Sequence, residues 1–259
     1  ACTPWIDAAA VGKDFFERIQ RTGKMEGEDY AIARQLLEDE RFPVPNGAAS
    51  AIRLATAAPS DYFDAIGVAM FKRLRVFALK DDGKPYPAWR EEASSIGRVI
   101  EILPRQTILA HFADLDWLAH QDKVREHAHA GLKRFSEFGA EGAQKLLWLI
   151  DDSNRFREKG GNAWQHPHLA GLTGLCKMGA EGRGAIKPLF DRLDSGVVLK
   201  RGSYQRLAVH TLVRMGANVD DIWLHARETG ANAERDEAKG RKQFEREVGR
   251  ALKRDECWF

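Results

Sequence analysis

Four of the chain's eight histidines fall in two close pairs, His127 with His129 and His166 with His168. Each pair precedes a glycine, Gly139 or Gly179, in a segment that occurs more than once. Stacked copies of that segment would set four imidazoles side by side, a donor set that suits zinc. Residues two apart on a helix, however, point to nearly opposite sides, so each pair offers one ligand to any common site. Apart from Glu126, no carboxylate stands near enough in sequence to orient the rings. The expectation is therefore hydrogen-bonding histidines at helix starts, and neither a metal nor a cofactor is assigned. Three cysteines, Cys2, Cys176 and Cys257, are too few and too scattered for a disulfide framework or a zinc knuckle. Cys176 sits in an apolar helical pattern and reads as a buried, inert thiol. A phosphate-binding Walker loop, a dinucleotide fingerprint, a Gly-x-Ser-x-Gly elbow and a His-Glu-x-x-His helix are all missing from the sequence. Gly182-Arg183-Gly184 has the look of a phosphate nest, but its place at the start of a helix suits a tight turn better. No catalytic constellation emerges.

The elements that carry these residues are helical and repeated. Three segments align around a glycine: Ala130 to Gly142, Ala170 to Gly182 and Leu207 to Ala217. Their glycines, Gly139, Gly179 and Gly216, lie 40 and then 37 residues apart. Leu132, Phe135 and Phe138 correspond to Leu172, Leu175 and Met178, and then to Val209, Leu212 and Met215. Spacing by three places each set on one helix face, and a glycine directly after the last apolar position is a helix stop. A second helical pattern follows each stop: Ala143 to Ile150, Ile186 to Leu193, and Val219 to Leu224. The first two close on acids, Asp151-Asp152 and Asp194. Further upstream, Ile96, Val99 and Ile102 precede Pro104, with Thr107 to Leu118 as the return helix, and Ala48 to Ala58 pairs with Asp61 to Leu79 across Pro59-Ser60. Phe15, Phe16 and Ile19 open a helix near the start, with Tyr30 to Leu37 as its partner. Glu234 to Arg254 makes a charged final helix with a thin stripe of Phe244, Val248 and Leu252, followed by Cys257-Trp258-Phe259, an apolar ending that suits folding back on that helix and docking into a partner equally well. Irregular stretches fall at Pro43 to Gly47, at Asp81 to Pro87 and at Asp152 to Ala163. Sustained period-two alternation between turn signals does not occur, so the fold class is all-α.

Bulk properties narrow the function. With 44% hydrophobic and 30% charged residues the chain is too apolar for disorder. No run of eighteen apolar residues exists to span a membrane. A net charge of +2 from 40 basic and 38 acidic residues argues against a strong polyanion binder, whose affinity rests on neutralised phosphates.

Asp122 to Leu132, running on through Phe138-Gly139 to Asp151-Asp152, resembles a HEAT repeat. In that family the first helix reads Val-Arg-x-x-Ala-x-x-x-Leu, then glycine, then a leucine-rich second helix ending at aspartate. Val124, Arg125, Ala128, Leu132 and Gly139 hold the matching positions. The resemblance is good over 122–224 and weaker over 46–121. It implies one domain over 1–259: N-terminal capping helices at 1–45, repeats over 46–229, and a C-terminal capping helix at 230–259. The architecture implied is a right-handed α-solenoid of about five stacked antiparallel helix pairs, because one pair cannot bury its apolar face alone. HEAT-like iron hydroxylases use His-Glu dipeptides as ligands, and this sequence contains none. HEAT-like alkyl-base glycosylases use an acidic residue and aromatics on a basic concave face. Trp148 and Trp223 lie on second helices, which line that face, and Asp191-Arg192 lies on the intervening one. Aligning Ile150 with Leu193 matches Trp148 to Asp191. Packing between repeats suits the same tryptophans better. HEAT-like bilin lyases offer a third analogy that nothing in the sequence separates from a general scaffold.

The expected function is non-enzymatic protein binding, as a scaffold, an adaptor or a subunit of a larger assembly, with Trp148, Asp191, Arg192 and Trp223 as the binding surface. A DNA-binding, glycosylase-type protein is the alternative. A cytoplasmic or organelle-soluble location is expected. The alternative is an exported lipoprotein lipidated at Cys2, suggested by Ala-Cys-Thr-Pro at residues 1–4, although a mature lipoprotein would begin at the cysteine itself.

Overall fold

A computed structural model describes residues 8–25, 27–38, 49, 60–79, 89–158, 165–199, 202–227, 237–253 and 257. Among them every regular element is helical and no strand occurs. The chain divides into two compact units, 1–134 and 135–259.

The first unit contains α1 (Ala8–Thr22), α2 (Glu28–Glu38), α3 (Ser60–Leu79), α4 (Trp89–Ile102), α5 (Arg105–Leu109), α6 (Phe112–Ala119) and α7 (Asp122–Leu132). Its tightest pairing is α4 with α7. Ile96, Val99 and Ile100 meet Val124, Ala128 and Leu132, all buried. Two glycines allow the close approach. A Cβ on Gly97 would lie 2.7 Å from the Ala128 backbone, and one on Gly131 would lie 2.9 Å from Ile100 Cγ2. A buried ion pair joins α3 to α4: Arg73 donates to both Glu92 oxygens at 3.0 and 3.2 Å. Their side chains are 1% and 3% exposed. Arg125 is buried and donates to the Ala119 carbonyl at 2.8 Å and to Asp122 at 2.7 Å.

Pro104 begins the return toward α7, but the single helix expected over Thr107 to Leu118 is two. His111 leaves helical geometry at φ −113° and ψ 24°. Its ring is drawn inward, where Nδ1–H donates to Asp114 at 2.8 Å and the imidazole packs 5.0 Å from Phe71. Apart from Ala49, which is helical and buried, the helix expected over Ala48 to Ala58 lies outside the described residues, as do the stretches at Pro43 to Gly47 and Asp81 to Pro87.

The 3-10 segment Lys133–Phe138 leads into the second unit, which contains α8 (Gly139–Glu158), α9 (Gln165–Met178), the 3-10 segment Gly179–Ala185, α10 (Ile186–Asp194), α11 (Gly202–Met215), α12 (Val219–Ala226) and α13 (Glu237–Lys253). Gly139, Gly179 and Gly216 have φ of +55°, +54° and +85°, the left-handed geometry that a helix-stopping glycine supplies without steric cost. At Gly139 the 3-10 segment comes before the glycine and α8 begins at it, whereas Gly179 opens a 3-10 segment that separates α9 from α10. The two Gly-Ala-Glu-Gly sequences differ in backbone, the first opening α8 and the second lying in the 3-10 segment, but the last glycine of each sits against the apolar residue four positions before it. A Cβ on Gly142 would meet the Phe138 Cβ at 3.1 Å, and one on Gly182 would meet the equivalent Met178 Cβ at 3.3 Å. Helix α9 packs against α8 and α11, α11 against α13, and α10 against α12. The aligned positions Leu172, Leu175, Leu212 and Met215 are fully buried.

Two expectations are corrected here. Helix α8 does not stop at Asp151-Asp152 but runs to Glu158, because Asp151 is satisfied by Arg192 from α10 and Asp152 is buried. Cys176 is not an inert thiol. It forms a disulfide with Cys257, with Cα atoms 5.9 Å apart and a sequence separation of 81. Sequence separation concealed this pair. Cys2, Trp258 and Phe259 lie outside the described residues. No helix among the described residues is long and apolar enough to cross a membrane.

Candidate functional site: a charged ladder on the second helices

Hydrogen-bonded polar pairs run from helix to helix along the second unit. The first joins α8 to α10. Arg192 Nε donates to Asp151 Oδ1 at 2.7 Å, and its Nη2 donates to the other carboxylate oxygen, a fork that matches the carboxylate plane. Arg192 is also tied to its own helix by a bond from Nη1 to the Pro188 carbonyl at 2.8 Å. The second pair joins α10 to α12. His225 Nδ1 lies 2.7 Å from Asp194 Oδ2. A carboxylate only accepts, so this nitrogen carries the proton. The His225 ring stacks on Phe190 with centroids 4.3 Å apart. The third pair joins α12 to α13, where Arg241 donates to Asp220 at 2.7 Å and to Glu245 at 2.8 Å. The bonds to Glu245 and Asp220 hold the Arg241 pKa above its usual value. Helix α12 is set by Asn218, which caps it by accepting from the Asp220 and Asp221 amides.

The four residues singled out from sequence separate on this frame. Trp148 is half-buried and stands one turn before Asp151, on the same face of α8. Arg192 pairs with that Asp151 carboxylate from α10. Asp191 is exposed and pairs with Lys187, 3.2 Å away on its own helix. Trp223 is turned toward the terminal helix, with its ring 5.2 Å from Phe244 and 5.7 Å from the Arg241 guanidinium. The packing alternative weighed for the tryptophans thus describes Trp223. Sequence reasoning missed Asp151, Asp194 and His225 as members of the ladder. Both aspartates were visible as the acids closing second helices, but their partners lie 41 and 31 residues away.

His127, His129 and His168 make contacts within the helical fold. His129 Nδ1 bonds to the Glu126 carbonyl at 3.0 Å, and His127 meets the Trp89 ring edge-on at 5.5 Å. His168 is buried, edge-on to Tyr204 at 5.5 Å. Among the described residues, no three His, Cys, Asp or Glu side chains come together to hold a metal ion.

Among the described residues the fold is all-α, and polar side chains pair from helix to helix along α8, α10, α12 and α13. No family model matches the chain, and no curated protein or solved structure matches it.

Proposed function

We propose that the protein is a non-enzymatic, HEAT-like scaffold that binds another protein along its second helices. The observation that carries this reading is the ladder Asp151–Arg192, Asp194–His225 and Asp220–Arg241, which repeats the same kind of contact from one helix to the next. Such a series gives an extended face of fixed charge positions, with Trp148 beside it as an aromatic anchor. The three left-handed glycines and the stacking of α9 on α11 and α11 on α13 support the solenoid part of the reading.

Protein is favoured over nucleic acid as the partner because each ladder cation already faces a carboxylate. Arg192 and Arg241 spend their charge internally, whereas phosphate binding needs cations that can release counterions. The Cys176–Cys257 disulfide further supports work in an oxidising compartment, where such bonds persist.

Affinity purification of the tagged protein from its native host, followed by mass spectrometry, tests the reading. A small set of stoichiometric proteins, retained by the native chain and lost with Trp148→Ala, is the expected result. Recovery of nucleic acid alone, lost on raising salt, would overturn it in favour of the DNA-binding alternative.

A further inference from the structure

The final helix is weakly held by its own side chains. Of the seventeen residues of α13, the apolar side chains described as buried are Phe244 and Val248. Leu252, next in the same stripe, is 65% exposed. The polar contacts of α13 to α12, through Arg241 and Asp220, are at the surface, where water and salt weaken them. The remainder of the second unit has a core of its own. Leu172, Leu175, Leu189, Leu193, Leu212 and Ile222 are fully buried on α9 to α12. Beyond α13, Cys257 returns to the interior at 5% exposure and bonds to Cys176, itself fully buried on α9. In a stacked helical array the terminal element has one neighbour instead of two, so it is the first to leave.

We propose that the Cys176–Cys257 disulfide is a redox clasp that holds α13 over α11 and Trp223. A dithiol reductant opens it. One reductant sulfur attacks a cystine sulfur, and the second displaces the mixed disulfide. Two electrons and two protons thereby pass to Cys176 and Cys257, which become thiols, while the reductant closes into its own disulfide. Once opened, α13 detaches as a unit. Trp223 loses Phe244 and Arg241, and α9 to α12 remain folded. The clasp acts by restricting the detached state, in which residues 227–257 form a loop tethered at both ends. Closing a loop of that length shifts the equilibrium by roughly 10²- to 10³-fold.

Hydrogen exchange read by mass spectrometry on the full-length chain tests this in three forms: oxidised, reduced with dithiothreitol, and Cys257→Ser. The expected result is that amides of α13 exchange roughly 10²- to 10³-fold faster in the second and third forms, with α9 to α11 unchanged and Trp223 fluorescence shifted toward that of a solvated indole. Equal protection of α13 in all three forms would overturn the proposal, because side-chain contacts alone would then hold the helix. An equal loss of protection across α9 to α13 would overturn it too, since the bond would then hold the whole unit. Failure of the oxidised chain to gain the mass of two hydrogens on reduction would remove the clasp altogether.

Discussion

The Arg73–Glu92 pair shows what a buried charge demands. With both side chains almost wholly out of water, each depends on the other for its charge balance, and the guanidinium also lies 5.1 Å from the Phe77 ring. Arg73→Met alone leaves a carboxylate in the core without its guanidinium and is expected to cost about 3–5 kcal/mol. The double variant Arg73→Met, Glu92→Leu should recover most of that loss. Urea denaturation of both variants and of Glu92→Leu closes the cycle, and an additive result would show that the pair is not coupled. Tyr62 presents the opposite case. Its hydroxyl is buried with no hydrogen-bond partner among the described residues, and its ring lies 4.2 Å from that of Tyr30. Burial first, then Tyr30, raises its pKa well above the ordinary 10.0. The folded chain therefore holds the neutral phenol, while the unfolded chain ionises near pH 10. Stability is intact below that pH and falls as pH rises above it. Tyr62→Phe should stabilise the fold by about 1 kcal/mol at pH 7 and flatten the alkaline decline, as thermal unfolding at pH 8 and pH 11 would reveal.

At the scale of the elements, glycine has two distinct uses. On α4, Gly97 lets α7 approach so closely that a methyl group would meet backbone, which cannot rotate away. Gly97→Ala is expected to destabilise by about 1–3 kcal/mol, the cost of overpacking. On α13, Gly249 has open space around its absent Cβ. There Gly249→Ala should strengthen the helix by about 1 kcal/mol, because only backbone entropy and helix propensity are at stake. Chemical denaturation of the two variants gives opposite signs if α4 and α7 cross as described. These glycines also show how far the elements were legible in the sequence. The stops at Gly139, Gly179 and Gly216 were readable because a left-handed cap is a local demand. Gly97 was silent, because its reason is a neighbour 31 positions away.

At the scale of the molecule, the ladder separates stability from binding. Arg192 is partly exposed and Asp151 more so, and a pair of that kind contributes under about 1 kcal/mol. Arg192→Glu should therefore leave the unfolding midpoint nearly unchanged. On the proposed scaffold function it should nevertheless release the partner, because it reverses a charge at the middle of the face and repels Asp151. Parallel thermal unfolding and pull-down experiments check this. A variant that unfolds early would show that Arg192 serves the fold instead.

The sequence by itself determined the all-α class, the helix phases and the three glycine stops, since periodicity and capping depend on residues within a turn or two. Most helix positions followed from the same local rules, including Ser60–Leu79, Ile186–Asp194 and Val219–Ala226. Only the tertiary structure decided that α8 continues through Asp151, that the return helix breaks at His111, and that Trp223 packs against α13. It alone paired Cys176 with Cys257 and joined the ladder's acids to their cations. Each of these depends on a partner tens of residues distant. Local pattern fixes which way a side chain points from its own helix, but which helix arrives opposite is settled by how the apolar stripes stack.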